Sequence, residues 1–322
     1  MRIFTRRLSR HTFYRSNIMT ISHKPIKTAG CLIIGDEILN GKIMDTNSYN
    51  FARFCFNDLS IPLKRTVVCG DDSQDIKTSL HNLLSQDNVG FLVTSGGLGS
   101  THDDITYEAI SDYFKLDYKL DQEVVDRMQS LRKDYLAKLD KEQLDAFYRM
   151  ATLPTTTSNA VTTTATATPT TTGASSTASG FKVEKIYAND KMWFPIVVID
   201  ERVFILPGVP QLFVQCLPTI KGYLQPRLES IKLIRRYVVT KTGESQLAPY
   251  LGKLQTRCNE KFGNGVVKLG SYPHLESHLN TISVIGNGIE SKKDLDWVVD
   301  DLLNNVNGHA KEISQEEEDE FT

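Results

Sequence analysis

Two glycine-bearing stretches hold most of the chain's candidate chemistry. "TSGGLGSTHDDIT", running from Thr94 to Thr106, sets Gly96, Gly97 and Gly99 ahead of the adjacent carboxylates Asp103 and Asp104. "GDEILNGKIMDTNS" opens at Gly35 and carries Asp36, Glu37, Asp45 and Asn47. Glycines allow positive φ and let the backbone approach a ligand with no Cβ in the way. Successive backbone amides, with the positive end of a following helix, favour an anion such as phosphate. Asp103 and Asp104 would repel a phosphate placed a few Å away. A divalent cation between them removes that conflict, because Mg²⁺ is commonly held by one or two carboxylates together with phosphate oxygens. Asp36, Glu37 and Asp45 could complete such a site. Simpler roles compete: a helix cap for one of Asp103 and Asp104, a solvated turn for Asp36 and Glu37, and a cap for Asp45. The glycine turn matches neither Walker A nor GxGxxG.

Other residues carry less. His102 reads as an exposed loop histidine before it reads as a general acid. "LPGVP", Leu206 to Pro210, reads as a strand-to-helix corner at least as well as a ligand contact. Trp193 and the scattered Phe and Tyr residues read as core rather than as base-stacking platforms.

The elements that must position these loops alternate. "AGCLIIG" (29–35), "LKRTVVC" (63–69) and "VGFLVT" (89–94) predict strands, with helices over 45–59, 71–85 and 107–114. Alternation of this kind gives a mostly parallel sheet with right-handed crossovers, and ligands then bind beyond the carboxyl ends of the strands. Both glycine stretches follow strands. Residues 121–150 are charged and helical in pattern. Two further strands flank a turn at Asp200–Glu201. From residue 234 the pattern is strand, helix, strand, strand, helix, strand, the ferredoxin-like order. The expected fold class is therefore α/β, a three-layer α/β/α domain over 28–230 with a second, smaller ferredoxin-like α+β domain over 231–313.

The composition bounds the rest. The chain has 322 residues, long enough for two domains, and no apolar run long enough to span a membrane. A formal charge of −2 argues against general nucleic-acid affinity. Residues 1–27 hold seven basic residues and no acid, leaving 30 basic against 39 acidic residues elsewhere. An Arg-rich, acid-free start has the composition of a mitochondrial transit peptide; a featureless extension ahead of Met19 is the other reading. The expected location is cytoplasmic, or mitochondrial if that segment is a targeting signal. Cys31, Cys55, Cys69, Cys216 and Cys258 form no CxxC pair and read as reduced core residues. Residues 155–180 hold twelve threonines and no charge, the composition of a disordered insertion. The end, 314–322, reads as an acidic, solvated tail.

At these motifs the chain resembles the molybdopterin-binding-like domain family. "GDEILNGKIMDTNS", "TSGGLGSTHDDIT", "LPGVP", "TGES" and "LGSYP" occur in the family's order between about Gly30 and Gly286. The likeness is to the branch found in the N-terminal part of CinA proteins and FAD synthases, in its stand-alone fungal form. The resemblance implies a glycine-loop pocket for a pterin or nucleotide phosphate. It also implies hydrolysis, dependent on Mg²⁺ or Co²⁺, of a dinucleotide pyrophosphate such as FAD or ADP-ribose. On this basis Gly35, Thr94, Gly96, Gly97 and Gly99 would line the phosphate pocket. Asp103, Asp104 and Thr106 would face metal or ligand, with Asp36, Glu37, Asp45 and Asn47 as the opposite wall. Asp36, Asp45, Asp103 and Asp104 would be the metal ligands, and Glu37, with Asp104, the catalytic pair. Non-catalytic binding and molybdenum-cofactor biosynthesis remain alternatives. The expected partner is a nucleotide or pterin, with homo-oligomerisation open. Ser100 stands where the family has proline, and the threonine-rich insert replaces a family segment. No stretch after Gly286 is long enough for an FAD-making domain.

Overall fold

The computed structural model describes residues 25–157, 180–229 and 232–321. The basic extension up to residue 24 and most of the threonine-rich insert lie outside the described residues.

The central sheet follows from which strands have no polar face. Strands β1 (Ala29–Ile34) and β3 (Phe91–Ser95) are buried along their whole length. So are β7 (Ile196–Ile199) and β8 (Val203–Leu206), whereas β2 (Leu63–Cys69) and β6 (Val183–Ile186) carry exposed or half-exposed residues. Uniformly apolar strands belong in the middle of a covered sheet. The observed order is β2-β1-β3-β8-β7-β6. β2, β1, β3 and β8 run parallel, and β7 and β6 add antiparallel at one edge. The β7–β8 hairpin turns at Asp200 and Glu201, both at positive φ, the geometry that matches strand twist.

Side chains of β1 divide two cores. Leu32 and Ile34 join one apolar cluster, and Cys31 and Ile33 join the other. The first is covered by α3 (Ser73–His81) and α4 (Thr106–Phe114), through Ile76, Leu80 and Ile110. The second is covered by α2 (Asn47–Arg53), which continues as a wider turn through Phe54–Leu59, and by α8 (Pro210–Leu224). Phe51, Phe91 and Phe204 meet edge-to-face there, with centroids 5.9 and 6.0 Å apart. This is the three-layer α/β/α domain. A short helix, α1 (Asp36–Leu39), follows β1 directly. All five cysteines are free and buried.

Between α4 and β6 the chain makes an excursion. Strands β4 (Asp117–Leu120) and β5 (Thr152–Thr155) pair antiparallel and close it. Helices α5 (Gln122–Leu131), α6 (Lys133–Leu136) and α7 (Lys141–Arg149) lie between them. The charged stretch 121–150 is thus helical as expected. The strand pair at its base was missed, and Thr155 belongs to β5 rather than to the insertion.

The second domain contains β9 (Leu233–Thr240), α9 (Glu244–Phe262), β10 (Val267–His274), β11 (Leu279–Asn287), α10 (Asp296–Asn305) and β12 (Lys311–Ile313). Its sheet order β10-β11-β9-β12, antiparallel throughout, is ferredoxin-like.

Two boundaries differ from the sequence reading. Ile26 is buried and bridges Leu228, so the body takes in residues assigned to the extension. The acidic tail is not simply solvated. It forms α11 (Gln315–Asp319), capped by Ser314, and Phe321 packs beside Tyr237.

In the second domain, Asp301 accepts two hydrogen bonds from Arg257, each 2.8 Å, and one from the Tyr250 hydroxyl. These donors hold its carboxyl below the ordinary range, Arg257 first. A depressed folded value means stability that is complete above the unfolded value, about 3.9, and lost as pH falls through the folded one. Asp301→Asn should therefore lower stability by about 1–3 kcal/mol at pH 7. The difference from the unsubstituted chain should shrink in acid below about pH 4, checked by urea melts across pH.

Candidate functional site

A cavity of about 1370 Å³ opens beyond the carboxyl ends of β1, β3 and β8. Its floor is built by close backbone approach. Gly96 has φ of 114°, and a Cβ there would sit 1.9 Å from the Ile34 carbonyl oxygen at the end of β1. Gly97 has φ of 62°, and a Cβ there would lie 2.3 Å from Thr106 Oγ1. No side chain fits either position. The Gly96 amide donates to the Leu206 carbonyl, and the Thr106 hydroxyl donates to the Gly96 carbonyl at 2.9 Å.

Asn47 joins three segments. Its Nδ2 donates to Ser95 Oγ at 2.9 Å and to the Gly208 carbonyl at 2.7 Å, while Ser95 Oγ donates to the Pro207 carbonyl. Asn47 Oδ1 is buried with no hydrogen-bond partner among the described residues. The "LPGVP" corner is therefore both structural and a wall of the cavity: β8 ends at Leu206, α8 begins at Pro210, and Pro207 to Pro210 line the space between.

Glu37, Asp45, Asn47, Gly96, Gly97, Gly99 and Asp104 all border this cavity. Gly35, Asp36, Thr94, Asp103 and Thr106 do not. Gly35 carries the Glu37 carboxylate against it and donates its amide to the Cys69 carbonyl. Thr94 is fully buried in β3. Thr106 faces the loop backbone instead of the cavity. Asp103 is solvent-exposed beside His102, whose side chain is almost wholly exposed. Asp36 turns toward Asp71: the Asp36 amide donates to Asp71 Oδ2 at 2.9 Å, and the Asp71 amide to Asp36 Oδ1 at 3.4 Å.

Two of the cavity carboxylates, Asp45 and Asp104, are each tethered through one oxygen. Asp45 Oδ1 accepts from the amides of Asn47 and Ser48, both at 3.0 Å, so the capping role holds. Asp104 Oδ2 accepts from the Thr101 amide at 3.0 Å, and from the Thr101 hydroxyl. The second oxygen of each has no hydrogen-bond partner among the described residues. No three Asp, Glu, His or Cys side chains converge as a metal cage among the described residues. The donor set fits a different pattern, in which one or two carboxylates share a hard cation with the phosphate oxygens of a ligand.

Two features of the site escaped the sequence reading. Asp71 lies outside both glycine stretches, and only the fold brings it to them. Burial raises its carboxyl above the ordinary range, partly offset by the Asp36 amide, with the charges of Glu37, Asp36 and Asp103 adding to the rise. The second is a wall of rings. Tyr107, Phe147, Trp193 and Phe194 line the cavity, with Arg132 and Lys191 beside them. Burial raises the Tyr107 phenol above its ordinary range. Trp193, expected in the core, is half-buried and borders the open space. The "TGES" and "LGSYP" motifs lie in the second domain, at the start of α9 and in β10, and neither reaches the cavity.

A family model described as "Probable molybdopterin binding domain" matches residues 30–230. A "Probable FAD synthase" of Caenorhabditis elegans is 28% identical over 287 residues, which is 88% of this chain and 50% of that protein. A "CinA-like protein" of Chloroherpeton thalassium is 36% identical over 103 residues, 32% of this chain and 24% of that one. The chain spans about half the length of the FAD synthase relatives it matches. Among solved structures, the protein CinA from Thermoplasma acidophilum aligns at a TM-score of 0.45 and 21% identity, covering 63% of this chain and 99% of that one. No helix of the described residues is long and apolar enough to cross a membrane. With the family model covering well over half its length, the chain belongs to the molybdopterin-binding domain family.

Proposed function

We propose that this cavity binds a dinucleotide diphosphate and hydrolyses it, converting FAD to FMN and AMP, or ADP-ribose to AMP and ribose 5-phosphate. The observation that carries this reading is the meeting of bare glycine-loop amides with uncommitted carboxylate oxygens from Asp45 and Asp104 in one cavity. The amides of Gly97 to Gly99 would take one phosphate. Asp45 and Asp104 would hold a divalent cation, Mg²⁺ or Co²⁺, that enters with the diphosphate. Such a cation, when bound, polarises a phosphoryl oxygen and offsets its charge. Glu37 would position the attacking water and take its proton. The water oxygen bonds to one phosphorus, the P–O–P bond breaks, and each half leaves as a monophosphate. Asn47 and Ser95 would keep the walls at a fixed separation.

A second reading has its own observation. The family model that spans residues 30–230 is described by binding alone, which supports nucleotide or pterin binding without turnover, as a binding protein or a step in molybdenum-cofactor biosynthesis.

Chromatography of FAD incubated with the full chain and Mg²⁺ or Co²⁺ separates the two. Turnover should yield FMN and AMP in equal amounts. Glu37→Gln should cut kcat about 10²–10⁴-fold, and Asp104→Asn should raise the metal concentration needed for half-maximal turnover. Gly96→Ala, forced against the Ile34 carbonyl, should cost about 1–3 kcal/mol of stability, read by a urea melt, and remove ligand binding with it. If no adenine dinucleotide is cleaved with any divalent metal, hydrolysis is wrong and the binding reading stands.

A further inference from the structure

We infer that the ring wall of the cavity is a stacking subsite for the flat heteroaromatic ring of the bound nucleotide, with Trp193 as its platform and Arg132 and Lys191 engaging the phosphate of the ring-bearing half. The inference rests on the reading that the cavity takes a nucleotide diphosphate, and it names which part of that ligand the ring wall selects.

The wall is built apart from the phosphate cradle. Apart from Tyr107 on α4, it comes from the helical excursion and from residues 189–194, not from the strand ends. Its rings form a file: Tyr135 lies 5.5 Å from Phe147, Phe147 lies 5.7 Å from Trp193, and Trp193 lies 5.3 Å from Phe194. Trp193 is thus held by ring neighbours while still bordering the open cavity. Its loop is pinned from α5. Arg127 Nη2 donates to the Met192 carbonyl at 2.8 Å and to the carbonyls of Asn189 and Asp190, with its guanidinium 3.9 Å from the Tyr187 ring centroid. A platform fixed before binding loses little entropy when a ring lands on it.

The charges point the same way. Arg132 lies 5.1 Å from the Tyr135 ring centroid, and Arg132 and Lys191 both border the cavity. Among the described residues neither comes within ion-pair distance of a carboxylate, although Asp190 borders the same cavity. Two cations without counterions beside an aromatic platform suit a phosphorylated ring. Stacking tolerates any base, since each has a π-face. The subsite therefore requires a ring without distinguishing flavin from adenine.

The test reads binding directly. The chain has two tryptophans, Trp193 and Trp297. In a Trp297→Phe background all indole emission comes from Trp193, and FAD should quench it saturably. By calorimetry in Mg²⁺, Trp193→Ala should weaken FAD about tenfold, while Trp193→Phe keeps most of the affinity. Inorganic pyrophosphate, which has no ring, should bind both chains equally. Lys191→Ala, on an exposed loop, should weaken FAD and spare riboflavin. Equal FAD affinity in Trp193→Ala, an equal loss for pyrophosphate, or no binding of FAD to the parent chain overturns the subsite. Parallel product analysis keeps the two readings apart. Quenching without cleavage would leave the subsite standing and remove hydrolysis. Cleavage with KM unchanged in Trp193→Ala would do the reverse.

Discussion

The site depends on one close approach, the crossing of the Gly96 backbone over the end of β1. Its α-carbon sits where a Cβ would collide with the Ile34 carbonyl. That proximity lets the loop after β3 fold back across the strand ends, with the Gly96 amide reaching Leu206 on β8 and its carbonyl accepting from Thr106 at the start of α4. Three strand ends and one helix start are thereby joined through a single residue. The cavity floor is this junction. Any side chain at Gly96 would push the loop away from β1 and separate the amides of the loop from the carboxylates on α1 and ahead of α2.

Electrostatics then constrains what the floor can hold. Glu37, Asp45 and Asp104 reach the cavity, and Asp36 and Asp71 lie close behind them. A bare phosphate would face that negative field, at a cost of several kcal/mol for charges about 4 Å apart at an effective dielectric near 20. The amides and the start of α4 offset only part of it, since a helix terminus contributes about 0.3–1 kcal/mol. Burial first, and then the charges of Glu37, Asp36 and Asp103, raise the Asp71 carboxyl. Tethering each of Asp45 and Asp104 by one oxygen leaves the other without a hydrogen-bond partner among the described residues.

Much of this was legible in the sequence because period and alternation report burial directly. The central strands are unbroken apolar runs, so their place in the sheet follows from solvent exclusion alone. The second domain's strand order followed from element order, because few compact packings satisfy that connectivity. What stayed hidden depends on contacts distant in sequence. Asp71 looks like any residue ahead of a capped helix until the parallel pairing of β1 and β2 sets it beside Asp36. Trp193 has the composition of a core residue, and only the helical excursion leaves one side of it open. β4 and β5 are four residues each and lack the length that makes a strand pattern readable. The tail's acidity suggested solvation, while Phe321 and the Ser314 cap, both visible in the sequence, were outweighed by the charge run.

The second domain contributes no lining residue, yet it touches the helix on which the site depends. α2 begins with Asn47, which ties the cavity walls together, and ends at Arg53, which pairs with Asp319 of α11 at 3.0 Å. One turn later, Phe56 lies 4.1 Å from the Arg235 guanidinium of β9. Both Arg53 and Asp319 are more than a third exposed, so that pair is worth about 0–1 kcal/mol. The cation–π contact adds about 0.5–1 kcal/mol. Energies this small do not hold two domains together against thermal motion. At its other end α2 is anchored by the two Asn47 hydrogen bonds, one buried and one part-buried. The helix that ties the cavity walls together is thus also the helix that the second domain touches.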